Sequence, residues 1–241
     1  MAYWINKKFK EKFNKEFVPK THRPLSPEIY NIFQEYPEGL SYCNIKSKDN
    51  NIIARLIAQV AQWFNKKSDM DLSLTHTITI LNSENLKDWF TEEEWAIVTA
   101  NWDKYYGGSK KLDESIKLLV LASADDNGMN FFDFSVYQSR DFSLRKLPLG
   151  KKKTKKIISK LVSIESAPYD VTGLAFWWLY KLLKWFKFFD DPDSYFCSEL
   201  YEIIKETTGF KIAEKDNPSP LDIENYRTDL RYYVTENFLK T

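Results

Sequence analysis

The chain is 241 residues long, with 35 basic and 34 acidic side chains and a formal net charge of +1. That length can bury a full core in one domain, and 43% hydrophobic against 29% charged residues excludes a wholly disordered polymer. A near-neutral balance speaks against a broad nucleic-acid footprint, two cysteines (Cys43 and Cys197) against a disulfide-built scaffold, and two histidines (His22 and His76) against a classical zinc site.

Ile5, Phe9, Phe13 and Phe17 recur every four positions and predict an amphipathic helix over residues 1–18, ended by Pro19, Pro24 and Pro27. Residues 1–38 are therefore expected to form an arm and connector. The arm either packs on its own domain or, through residues 1–20, holds a protein partner. His22, between prolines in the connector, is given no role.

Ser41–Lys46 alternates like a short strand, with Cys43 as one of its buried residues, and Asn50–Asn65 has a helical stripe. Leu72–Leu81 is the clearest strand signal, β-branched and alternating, and His76 is expected on its polar phase. Asn85–Asn101 reads as an acidic helix. Lys117–Ala124 reads as an apolar strand closed by the turn Asp125-Asp126-Asn127-Gly128, and Met129–Val136 and Phe142–Leu147 as two more strands. Lys151–Ile164 is a helix whose lysine run is read as a solvated face. An aromatic helix over Val171–Phe189, a helix from about Tyr195 to Thr207 stopped by Gly209, and a last strand at Arg231–Val234 complete an α+β domain over residues 39–241.

No run of 18 apolar residues occurs; Lys181, Lys184 and Lys187 interrupt the longest candidate. Met1–Lys8 lacks the apolar core of a signal peptide, so synthesis in the cytoplasm is expected, with virion association if a phage encodes the chain. The stripe from Trp177 to Phe189 is core packing by default and a membrane-surface contact in the alternative.

Chemistry concentrates at Cys197, where Asp190–Ser194 hands over to a helix. Ser194 or Asp193 can cap that helix and put the cysteine in its first turn. The positive end of the helix dipole favours thiolate there, and unbonded backbone N–H groups can hold an oxyanion. His76 is a candidate base 121 positions away. The plainer alternative is a small buried cysteine and a satisfied core histidine.

Four stretches then resemble one family. Asn51–Phe64 resembles a first helix, and Leu74-Thr75-His76-Thr77-Ile78-Thr79-Ile80 a histidine strand with Thr75 in place of the usual Ser. Ala167-Pro168-Tyr169-Asp170-Val171-Thr172-Gly173-Leu174 is similar to a Pro-Tyr-Asp-x-x-Gly-Leu segment, and Tyr195-Phe196-Cys197-Ser198-Glu199-Leu200 to a Tyr-x-Cys-Ser-Glu-Leu nucleophile motif. Pro218–Asp222 resembles the short element that follows. In this order, over about residues 40–225, they resemble the circularly permuted papain-fold thiol hydrolases, the NlpC-like group of YiiX/YycO type, and more distantly the lecithin-retinol acyltransferases.

The resemblance implies a permuted papain-like domain, an antiparallel sheet packed against helices, with Cys197 as nucleophile and His76 as general base. It implies no metal or organic cofactor. Its substrate would be a peptide or cell-wall amide, with a lipid ester as the alternative, and no nucleic acid. Tyr169 and Asp170 are candidate cleft residues. The family's polar residue that orients the histidine falls here on Ala122 or Ser123, so Ser123 is the candidate, with Glu92, Glu93 or Glu94 of a helical insertion near 82–115 as substitutes. Three outcomes follow: a cysteine amidase or peptidase, a catalytically degenerate binding or structural module, or a lipid ester hydrolase or acyltransferase at a membrane surface.

Overall fold

A computed structural model describes residues 19–35, 38–46, 74–125, 128–165, 167, 200–211, 213, 226 and 228–234. The expected helices at 1–18, 50–65 and 171–189 and the tail element at 218–222 lie outside the described residues. So do Cys197, Tyr169 and Asp170.

Six antiparallel strands form one sheet in the order β4-β3-β2-β1-β5-β6. They are β1 (Gly39–Lys46), β2 (Leu74–Asn82), β3 (Leu118–Asp125), β4 (Gly128–Asp133), β5 (Phe142–Lys146) and β6 (Arg231–Val234). Among the described residues four α-helices accompany them: α1 (Pro27–Gln34), α2 (Glu92–Tyr106), α3 (Lys151–Ser163) and α4 (Leu200–Thr208). The α+β class is thus as the periodicities predict, and the sheet is antiparallel, as the resemblance implies. Several boundaries shift by a few residues, α2 running on to Tyr106, and two segments change in kind. The segment read as one helix from Asn85 is a 3-10 turn (Leu86–Trp89) followed by α2, and the strand read to Val136 ends at Asp133 in a second 3-10 turn.

Local chemistry accounts for these edges. Thr91 and Glu94 close a reciprocal capping box at the start of α2, and Asp133 accepts from the Ser135 N–H at 2.7 Å, which turns the chain out of β4. Gly209, at φ 71°, sends its N–H back to the Lys205 carbonyl and ends α4 where a glycine stop is expected.

Both faces of the sheet are buried. Pairing of Ile45 with His76, Cys43 with Ile78 and Ser41 with Ile80 sets one face, which α1 and the β4–β5 crossover cover. There Asn82 donates to the Phe33 carbonyl at 3.0 Å, and the Phe134 ring meets Phe33 and Phe142. The other face carries Tyr42, Asn44, Thr77 and Thr79, and is left for α3, against β1 and β3, and α4, against α3 and β2. His76 therefore shares the apolar phase of Ile78 and Ile80 and not the polar phase expected of it. The period of two places all even-numbered residues of β2 together.

The expected insertion at 82–115 is a structural part of the core. Trp102 of α2 is fully buried, its indole N–H donates to the Lys110 carbonyl at 2.7 Å, and Tyr105 stacks on Phe132 of the edge strand β4. Asn101 accepts from the Phe131 N–H at 2.9 Å, so α2 closes the edge that β4 would otherwise expose.

Candidate functional site

His76 is the third residue of β2 and lies near the end of the sheet where that strand begins. Its ring is half-buried. Nε2 stands 3.0 Å from the Tyr137 hydroxyl, with ring centroids 5.7 Å apart and tilted. Tyr137 belongs to the turn after the second 3-10 segment, and the neighbouring Phe132 and Phe134 rings hold it. On another side the Arg140 guanidinium lies 4.9 Å from the phenol centroid, a cation–π contact.

Burial, and then the positive charge of Arg140, lower the His76 pKa to about 3, so the imidazole is neutral across the physiological range. A neutral imidazole can take a proton at one nitrogen while the other is held. Here the held nitrogen is Nε2.

Ser123, the expected orienting residue, lies on the adjacent strand β3. The β2–β3 pairing runs from Asn82 opposite Leu118 only as far as Thr79 opposite Leu121, and Ser123 pairs with Asn130 beyond a register irregularity. Of the glutamates at the insertion, Glu94 is occupied with the Thr91 N–H at 2.8 Å in its capping box, while Glu92 and Glu93 are exposed in the first turn of α2. Among the described residues, a polar group that contacts His76 comes from Tyr137, which sequence reasoning missed. The two residues are 61 positions apart, and no local pattern signals their meeting.

Cys197 itself is outside the described residues, but α4 begins three residues after it. Thr208, the last residue of α4, offers its carbonyl to Lys153 in the first turn of α3, and the two helices run alongside each other. The start of α3 follows β5, where Leu147 N–H bonds the Leu40 carbonyl at the Gly39–Asn82 end of the sheet. The first turn of α4 consequently points toward the opposite end, where β2 starts and His76 stands. The imidazole lies on the face of α1 and the crossover, whereas α4 packs on the other face.

The remaining cysteine and histidine are structural. Cys43 is a reduced thiol buried in β1. His22, given no role from sequence, has Nε2 3.3 Å from Asp133 and its ring edge-on to Tyr106. Around this contact Lys20 N–H bonds the Tyr105 carbonyl, and Ser26 N–H bonds the Gln138 side chain at 2.6 Å. The connector thus becomes a strap across α2 and the crossover.

Compared with known proteins, the chain matches no protein-family model and no curated protein sequence. Its likeness to the permuted papain-fold hydrolases stands on the quoted motifs.

Proposed function

We propose that the chain is a thiol hydrolase of permuted papain-like design acting on amide bonds, with Cys197 as nucleophile and His76 as general base. The observation that carries this reading is the imidazole held through Nε2 by Tyr137, at the end of the sheet toward which α4 begins. With the ring proton on Nε2 and donated to the Tyr137 oxygen, the thiol proton goes to Nδ1. Sulfur then attacks the carbonyl carbon, backbone N–H groups of the helix start hold the oxyanion, and the proton passes from Nδ1 to the leaving amine. Water attacks the thioester, gives its proton to the same nitrogen, and releases the acid as the thiol re-forms.

Because burial and Arg140 both disfavour imidazolium, proton transfer fits attack in progress better than a standing thiolate–imidazolium pair. Since imidazole and α4 lie on different faces of the sheet, the thiol must reach Nδ1 around the end of β2. Peptide or cell-wall amides are the favoured substrate class, with lipid esters next. The test is covalent labelling by a peptidyl electrophilic ketone. Labelling at Cys197, lost in His76→Ala, supports the reading, and labelling indifferent to His76 removes it.

One observation favours a second reading, a degenerate binding module. An imidazole held neutral beside a guanidinium, on the face away from α4, is also what a retired histidine would look like.

A further inference from the structure

We propose that the outer face of α3 is a docking surface for an anionic phospholipid bilayer. The inference is independent of the hydrolase reading. Six of the thirteen residues of α3 are lysine, and no acidic residue interrupts them. An inner stripe of Thr154, Ile157, Ile158, Leu161 and Val162 is buried and fixes the helix to the sheet. On the outside, Lys151, Lys152, Lys153, Lys156 and Lys160 are exposed.

None of these lysines takes part in an ion pair with a described carboxylate; the acids of the described ion pairs belong to His22, Lys46, Lys110, Lys117 and Lys205. Lys151 leans over the Trp89 ring at 5.3 Å and Lys153 reaches the Thr208 carbonyl at 3.4 Å. The concentration is local, because the chain as a whole carries only +1.

Placement makes the pattern costly to the helix. Lys151, Lys152 and Lys153 occupy its first turn, where the macrodipole is positive, and Gly150 supplies no side-chain cap. Among the described residues Lys152, Lys156 and Lys160 gain no carboxylate partner from the fold, so the use of their charge lies outside it. Lys152, Lys156 and Lys160 form one row spaced by a helical turn, about 6 Å apart along the axis. Ser159 and Ser163 are exposed beside them.

The occupant is anionic by charge complementarity, and the side chains select among anions. The exposed face of α3 holds only lysine and serine. It has no arginine fork, no amide and no exposed aromatic ring with which to read or stack bases. Point charges on flexible stems over a convex helix suit mobile headgroups, to which clustered lysines contribute cumulatively. No helix among the described residues is long and apolar enough to cross a membrane, so the contact is peripheral.

The experiment is co-sedimentation of the full chain with phosphatidylcholine vesicles with and without about 30 mol% phosphatidylserine. Binding to the anionic vesicles only, abolished by about 0.5 M salt, is expected. The variant Lys152→Glu/Lys156→Glu/Lys160→Glu should bind at least about tenfold more weakly with an unchanged melting temperature. Should that variant fold poorly, the milder Lys152→Gln/Lys156→Gln pair should still weaken binding severalfold. Equal binding to neutral vesicles, unaltered binding by the variants, or capture of duplex DNA in place of anionic vesicles overturns the proposal.

Discussion

The Tyr137 hydroxyl and Nε2 of His76 stand 3.0 Å apart and join the β4–β5 crossover to the beginning of β2. This contact holds the ring at Nε2 and ties it to the crossover. Tyr137→Phe removes the oxygen and keeps the ring packing against Phe132 and Phe134. The expected loss of stability is about 1 kcal/mol. On the hydrolase reading, turnover should fall about tenfold or more with a smaller change in KM. A turnover number unchanged in Tyr137→Phe would assign the tyrosine to packing alone.

The depressed pKa of His76 has a consequence for stability. The folded chain holds the imidazole at about 3, below the ordinary histidine value of 6.5. Between those two values the unfolded chain binds a proton that the folded chain refuses, so stability falls as pH drops from about 6.5 toward 3. The limiting slope for one such group is about 1.4 kcal/mol per pH unit, and less for a half-buried ring. Urea midpoints of the wild type and His76→Gln against pH would read this directly, because carboxylates titrate alike in both. Parallel curves would contradict it.

Gly107 adopts φ 58°, and a Cβ there would lie 2.8 Å from Cβ of Pro19. Gly108, at φ 72°, has open space around it. Each Gly→Ala replacement carries the left-handed penalty of about 1–2 kcal/mol, and only Gly107→Ala also displaces the strap. Gly107→Ala is expected to be the more destabilising in thermal melts. Equal losses would show that the strap does not bear on α2.

How much of this was legible beforehand differs by element. α3 announces itself because its buried stripe follows a period of 3.6, which is a property of a few consecutive residues, whereas β1 and β5 are buried along nearly their whole length and show no such alternation. The 3-10 turn before α2 hides among polar residues that would also suit a helix, and its end is decided by the Thr91–Glu94 box. At the site, the strand position of His76 was readable, but its face was misjudged by one step of the alternation. Tyr137 and the His22–Asp133 contact were invisible, since they join residues 61 and 111 positions apart through tertiary packing.

Asp133 tests the strap from its other end. It is buried, accepts from the Ser135 N–H and faces His22. Asp133→Ala is expected to cost about 1–3 kcal/mol, by stranding that N–H and removing the histidine partner. In a double-mutant cycle with His22→Ala the two losses should couple by at least about 0.5 kcal/mol. Additive losses would mean that His22 is held by Tyr106 and the strap backbone alone.

The most direct test of the central claim is the alkylation rate of Cys197 against pH in a Cys43→Ala background, with and without His76. A free thiol has a pKa of about 8.5 and reacts slowly below it. The account predicts that at pH 6–7 Cys197 is alkylated severalfold faster in the wild type than in His76→Ala, because the imidazole takes the thiol proton as the new bond forms. A Cys197 that behaves as an ordinary thiol, with the same profile when His76 is replaced, would contradict the hydrolase and leave the binding module.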